Sequence, residues 1–408
     1  MSSPRLAAPA VPTAPATVPP VLPTSRPSLL ATRRTLLWLP LVLCLIGLIF
    51  LTSVSIGDIK LSAPPRSPLE PFRSVLQQAC WVLLGIGVML ALAWIPVRFY
   101  QASARFWLVL FSLVLIALWL VPGLGVERNG AVRWIELPLP LLGQISMQPS
   151  EVFKLATLLF FAALYSKPGA SWRKGDYLLV ALWATALLAV ERQPDFGTMV
   201  LLFMLGVGVA FLGGARLSSI ALLMVIAVLG AAVLIGLPAL RGGVSADGEV
   251  GYRLKRILAM LDPWGNEHDI GYQIVRAQIA VGSGGLARLA IGEGREKRYL
   301  PAAENDYIFV TIAEETGFVG CLVCIGLFAW LVGACFVLAT RAPTRFGRLF
   351  AGGLGLWIGL QALLNMGMAI GLLPPVGLPL PFVSEGGSAT VSLMAALGIA
   401  QAIAREAR

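Results

Sequence analysis

Long apolar runs separated by short polar loops dominate this chain from about residue 35 onward. A helix needs about 20 apolar residues to cross the hydrocarbon of a bilayer, with a range of about 17 to 25. On that measure the pattern predicts ten spans, near 35–53, 76–95, 105–122, 150–166, 177–191, 198–214, 217–238, 308–339, 348–371 and 386–404. Ahead of them, residues 1–30 are crowded with Pro, Ala, Ser and Thr and lack apolar periodicity. Too little burial is available there to offset ordering entropy, so a disordered cytoplasmic tail is expected. The first apolar run follows Arg33 and Arg34 and lacks a small-residue cleavage site, so it is expected to remain as a membrane helix rather than leave as a signal peptide.

Between the seventh and eighth expected spans lies a polar segment, 240–306, which is not low-complexity. A connection longer than about 15 residues is usually functional or disordered. This one contains the amphipathic stretch GYRLKRILAML, suited to lie on a membrane surface with its basic face toward anionic headgroups, and it is expected to be ordered. The fold class expected is all-α: a polytopic membrane domain over 31–408, with about ten transmembrane helices and a large extracytoplasmic loop between the seventh and eighth.

Composition agrees with that pattern. The 408 residues are 57% hydrophobic and only 13% charged, against about a quarter charged in soluble domains. The net charge of +10 would suit nucleic acid on a soluble face, but the basic residues sit in short clusters between apolar runs, so no nucleic-acid partner is expected. With the N-terminus inside, the cytoplasmic loops hold Arg98, Arg105, Lys167, Arg173, Lys174, Arg216, Arg341, Arg345 and Arg348, with Asp176 nearly alone against them; the outer loops mix both signs. Both termini are then cytoplasmic. All five cysteines lie in apolar stretches and read as packing residues, Cys321 and Cys324 included.

Charges near hydrocarbon depth are costly, so each is a functional hypothesis with a partner to be named. In QISMQPSEVFKLA, Glu151 and Lys154 fall at i and i+3 on one helix face, either as a structural ion pair or as an anion-binding lysine with its orienting acid. In ERQPDFGT, Asp195 stands where an N-cap would. The outer loop offers Arg253, Lys255, Arg256, Arg276 and Arg288 with Gly282, Gly284 and Gly285, a set suited to a pyrophosphate, while His268 reads as a surface residue. In DYIFVTIAEETGFVG, Asp306 sits at the water-facing mouth; helix geometry puts Glu314 about 12 Å deeper and Glu315 on nearly the opposite face. A carboxylate at the edge of an apolar cavity suits a general base, and an acidic helix N-terminus is the plainer reading. The prolines and glycines of NMGMAIGLLPPVGLPLPFVSEGGSA imply irregular backbone at membrane depth, tolerated where protein buries it or water fills a cavity.

Taken together and in order, NGAVRWI, QPSEVFK, QPDFGT, RILAMLDPW, GYQIVRAQIAVGSGGL, DYIFVTIAEETGFVG and GLPLPFVSEGGSA resemble the SEDS family (shape, elongation, division and sporulation) of FtsW-, RodA- and SpoVE-like membrane proteins. The resemblance implies a glycosyltransferase of the bacterial cytoplasmic (inner) membrane that polymerises lipid II into peptidoglycan glycan strands, beside a class B penicillin-binding protein that cross-links them. It implies Asp306 as the essential acid, and Glu151, Lys154, Asp195 and Trp134 as further site residues. Arg133 and Arg256 are expected to steady the leaving group, alone or with a divalent cation, magnesium or manganese. Gln278, Ser283, Glu314 and Ser384 complete the expected substrate-binding set. The chain departs from the family at Gln193 (commonly Glu), Glu304 and Asn305 (commonly His-Thr) and Glu385 (commonly Tyr). The expected reaction is inverting, with Asp306 deprotonating the acceptor hydroxyl and undecaprenyl pyrophosphate leaving. A lipid-precursor flippase and a non-catalytic scaffold for division or elongation stay open as rivals.

Overall fold

The computed structural model describes residues 29–59, 70–128, 131–139, 143–167, 174–225, 260–267 and 271–407. Ten helices are labelled here: α1 Leu29–Ile59, α2 Arg73–Leu92, α3 Val97–Leu120, α4 Pro149–Tyr165, α5 Lys174–Arg192, α6 Phe196–Leu212, α7 Tyr272–Ser283, α8 Ile308–Arg341, α9 Arg345–Ala369 and α10 Gly387–Glu406. Residues 217–225 are also helical. Each expected span overlaps a described helix, except that the seventh is described only over 217–225. Most of the amphipathic stretch after Glu249, Arg253, Lys255, Arg256 and His268 lie outside the described residues.

Among the described residues, six helices are long and apolar enough to cross a membrane, α1, α2, α3, α8, α9 and α10, and α6 is a shorter apolar helix. The chain is therefore a multi-pass membrane protein. α4, at 17 residues, is shorter than these, and α5 carries Lys174, Asp176, Glu191 and Arg192 at its ends.

The bundle is layered around its two most buried spans. The apolar windows of α10 and α9 are 83% and 72% buried, against 22% for the helix ending at Leu92. α9 packs on α8, α6 and α4, and α10 packs on α2 and α4. In lipid no hydrophobic gain drives helices together, so close van der Waals fit must do so, and small residues permit it. The AGGLGL run of α9 fits that need: a Cβ on Gly353 would lie 2.4 Å from Leu158 Cδ1, and one on Gly352 would lie 2.9 Å from Leu212 Cδ1. The outer helices instead turn large side chains such as Trp38, Leu83, Phe106 and Trp330 outward, where lipid would meet them. At one end, Asp176 is 1% exposed and accepts from Arg105 at 2.6 Å and Lys167 at 2.9 Å, joining the starts of α3 and α5 to the end of α4.

The all-α expectation needs one correction. Between α3 and α4 the chain forms a three-stranded antiparallel sheet, β1 Val126–Arg128, β2 Ala131–Leu139 and β3 Gly143–Met147, ordered β1-β2-β3, with Glu127 opposite Val132 and Glu136 opposite Ser146. Val132, Trp134 and Ile135 favour extended backbone, and a ladder pairs amide groups a short outer loop would leave open.

α8 is broken at Gly317, whose φ of 68° and ψ of −167° are not helical. Glycine is required there, because a side chain at that φ is strained and its Cβ would lie 2.8 Å from Gly284 O. The freed backbone pairs with the loop after α7: Phe318 N donates to Gly285 O at 2.9 Å, and Ala290 N donates to Glu315 O at 3.0 Å.

Candidate functional site

The irregular segment between α9 and α10, residues 370–386, is the node on which the polar residues converge. Gly371 and Gly377 have φ of 78° and 64°, so the chain turns where a helix would otherwise continue. Asp306 lies beside it, half-buried, in the turn before α8; a Cβ on Gly377 would sit 3.7 Å from Asp306 Oδ2. Asn365, fully buried on α9, donates through Nδ2 to Asp306 O at 2.9 Å and to Leu378 O at 2.7 Å. One amide thus ties the turn carrying the aspartate to the irregular segment.

One helical turn before Asn365, Gln361 Nε2 donates to Pro379 O at 2.8 Å. Its Oε1 accepts from Trp357 Nε1 at 2.9 Å and Lys154 Nζ at 3.4 Å. Lys154 is fully buried and pairs with Glu151 Oε1 at 2.7 Å, the i,i+3 partner expected; Glu151 Oε2 is buried without a hydrogen-bond partner. The ammonium of Lys154 therefore faces α9 and its own acid rather than open water.

Asp195 caps α6, accepting from Thr198 N at 3.2 Å, and its other oxygen accepts from Gln148 Nε2 at 3.1 Å. The start of α6 lies against the same irregular segment, since a Cβ on Gly197 would meet Val376 O at 2.2 Å. Arg133 reaches from β2 to the preceding turn, donating to Gln193 O at 2.6 Å and to Pro194 O. Trp134 is half-buried next to it on β2.

Gln278 of α7 abuts Gly371, where a Cβ would lie 2.9 Å from its Nε2. Ser384 is 2% exposed, and its hydroxyl accepts from Leu380 N at 2.8 Å, closing the turn before α10. Ser283 lies at the exposed end of α7, its hydroxyl donating to Ala280 O at 2.8 Å. Arg256 lies outside the described residues.

Helical periodicity sets Glu314 and Glu315 about 100° apart, and both turn to the loop after α7, where a Cβ on Gly294 would lie within 3 Å of either carboxylate. Glu314 Oε1 accepts from the backbone of Arg295 and of Glu296, the latter at 3.0 Å. Glu315, fully buried, pairs with Lys297 at 2.5 Å and accepts from Ser53 Oγ at 2.6 Å and Gly294 N at 3.2 Å. The two acids hold the loop after α7 onto α8 and α1.

Sequence reasoning missed Gln361, Asn365, Gln148 and Lys297. The signal available was an amide at i and i+4 inside an apolar span, where an unsatisfied polar group is expensive.

The family described as "Cell cycle protein" (FtsW, RodA, SpoVE) matches residues 34–408. The chain belongs to that family. Among curated FtsW/RodA/SpoVE relatives, a probable peptidoglycan glycosyltransferase FtsW of Aromatoleum aromaticum is 37% identical over 371 residues, 89% of this chain and 86% of its own length. One of the same name from Thioalkalivibrio sulfidiphilus is 36% identical, over 88% and 86%. Among solved structures, the rod shape determining protein RodA of Thermus thermophilus superposes with a TM-score of 0.61 at 26% identity, covering 91% of this chain and 96% of that one. A chain from the structure titled "Structural coordination of polymerization and crosslinking by a peptidoglycan synthase complex" gives 0.65 at 28% identity, covering 88% and 97%.

Two departures from the SEDS pattern now have a physical setting. Gln193 is 6% exposed and donates through Nε2 to Leu115 O at 3.3 Å, a bond that an ionised glutamate has no proton to make. Glu385 N donates to Glu304 O at 3.0 Å, so the two unusual acids are neighbours. Burial, and then the Glu304 carboxylate, push the Glu385 carboxyl above its ordinary value. Among the described residues no three His, Cys, Asp or Glu side chains are grouped to hold a metal ion.

Proposed function

We propose that this chain is a peptidoglycan glycosyltransferase that polymerises lipid II at the outer face of the bacterial cytoplasmic membrane, with ten spans, both termini inside and Asp306 as general base. The observation that carries the reading is the setting of Asp306: half-buried in the turn before α8, beside Gly377, with its backbone tied by Asn365 to the turn carrying Leu378 between α9 and α10. A general base must be held in place at a position a substrate can approach, and a tied backbone with a half-buried side chain supports that role for Asp306.

Asp306 takes the proton of the acceptor sugar hydroxyl as that oxygen attacks the anomeric carbon of the donor. The bond from that carbon to the pyrophosphate oxygen breaks, and undecaprenyl pyrophosphate leaves with the electron pair. One base suffices for inversion, by analogy with inverting glycosidases. Arg133 is the described cation that we assign to steadying the leaving group, and its hold on the 193–194 turn sets its position. Lys154 and Glu151 act from beneath, keeping α4 joined to α9 and so to Pro379. A divalent cation would supply further charge neutralisation at the pyrophosphate, but the described side chains do not form a three-ligand set for one. Similarity to a chain of a peptidoglycan synthase complex supports a cross-linking partner, which we take to be a class B penicillin-binding protein.

The test is polymerisation of purified lipid II by the full chain with its partner. Asp306→Asn should lose at least about a hundredfold in rate, the lower range for removal of a general base. A variant as active as the parent would remove Asp306 from that role, and labelled lipid II crossing vesicles without polymer would favour the flippase.

A further inference from the structure

The proposed chemistry leaves one built feature of the outer loop unused. Residues 286–291, LARLAI, run beside the break in α8, where Arg288 N donates to Thr316 O at 3.3 Å and Val319 N donates to Leu286 O at 3.0 Å. That pairing sets their depth. Phe318 and Val319, 56% and 52% exposed, begin the outward-facing apolar part of α8 after a buried first stretch, so 286–291 stands level with the start of the surface that suits lipid. Leu286 and Leu289 are 80% and 83% exposed there, a poor arrangement for water and a suitable one for the edge of an acyl layer.

Beside these leucines, Arg288, Arg295, Arg298 and Tyr299 line a cavity of about 370 Å³ together with Glu293 and Glu296. Glu296 is engaged by Arg276 at 3.2 Å, and Arg276 also lies over the Tyr299 ring. Among the described residues, none of the three lining guanidinium groups has a carboxylate partner, and Arg298 Nε is buried without a hydrogen-bond acceptor. With Glu296 taken by Arg276, Glu293 alone offsets the three cations around the cavity, so a further anion among them relieves their repulsion. Guanidinium groups match phosphate oxygens in geometry as well as charge.

We propose that this cavity binds the phosphate of an anionic phospholipid headgroup of the outer leaflet, in the orientation given above, with Leu286 and Leu289 entering the acyl layer. The excess of arginine over free acid selects a headgroup of net negative charge. Glu293 remains to accept a hydroxyl of a polyol headgroup such as that of phosphatidylglycerol.

The test uses the purified full chain in neutral detergent and fluorescently labelled phosphatidylglycerol, followed by anisotropy. Arg288→Gln with Arg295→Gln and Arg298→Gln should weaken binding by about a hundredfold, since each basic side chain near a membrane surface contributes close to a factor of five. Leu286→Ser with Leu289→Ser should also weaken it severalfold. Arg288→Gln alone, a change at an exposed side chain, should weaken it about fivefold and serves if the triple variant folds poorly. Equal binding of labelled phosphatidylcholine or phosphatidylethanolamine, or unchanged binding by the arginine variants, would overturn the proposal. Full displacement by millimolar inorganic phosphate, with the leucine variant unaffected, would also overturn it by assigning the site to a soluble anion.

Discussion

Replacing Lys297 by methionine should release the loop after α7 from the bundle while leaving the spans intact. In the parent, Glu315 is fully buried and its Oε1 collects Lys297 Nζ, Ser53 Oγ and Gly294 N, while Oε2 has no partner. Methionine fills the space of the lysine stem but strands the carboxylate with two neutral donors. Removing one partner of a buried pair costs about 3 to 5 kcal/mol. The surviving hydroxyl and amide bonds, worth about 1 kcal/mol each, argue for the lower end, about 3 kcal/mol, or roughly a hundredfold in an opening constant. Local opening is read by amide hydrogen exchange. The amides of Gly292, Gly294, Arg295 and Glu296, which donate to Ser53, Glu315 and Glu314, should exchange about that much faster, while those of α9 should not change. Adding Glu315→Gln removes the stranded charge and should restore most of the protection. Unaltered exchange in the single variant, or a double variant as open as the single, would refute the reasoning.

Two further outcomes follow from the site. Because the Glu385 carboxyl lies above its ordinary 4.5 in the fold, the native state holds a proton that the unfolded chain gives up first, so this group's contribution to stability is fully present below 4.5 and is lost as pH rises through the raised folded value. Unfolding temperatures of Glu385→Gln should be flatter across that window; an equally steep decline in variant and parent would sink the assignment. At Gly197, an alanine methyl would press on Val376 O, a backbone atom unable to rotate away, so Gly197→Ala should cost about 1 to 3 kcal/mol and slow polymerisation by shifting 376–377 beside Asp306. Unchanged unfolding temperature and rate would show that α6 and that segment move freely apart.

The six long apolar spans among the described residues were legible because bilayer thickness imposes a length on any apolar run, and the pairing of Glu151 with Lys154 because helix geometry fixes which side chains meet at i and i+3. Asp195 was legible as a cap for the same local reason. The sheet was not: its strands are short and lie inside an outer loop, where hydropathy carries little signal. Nor was the convergence of Glu314 and Glu315, since the loop that binds them folds back from about 20 residues earlier in the chain, beside a break at Gly317 that periodicity does not foresee. Gln361 and Asn365 stood out as amides in an apolar span, but their partners are main-chain carbonyls of a distant segment, which no residue pattern reveals.

Gln361 and Asn365 stand at i and i+4 on α9, so they work as a ruler about 6 Å long. One mark reads the buried ammonium of α4, the other the main chain of Asp306. The interval between those two stations is thus graduated in helical rise rather than in loop length, and polar loops elsewhere in the chain can lengthen or shorten over generations without recalibrating it.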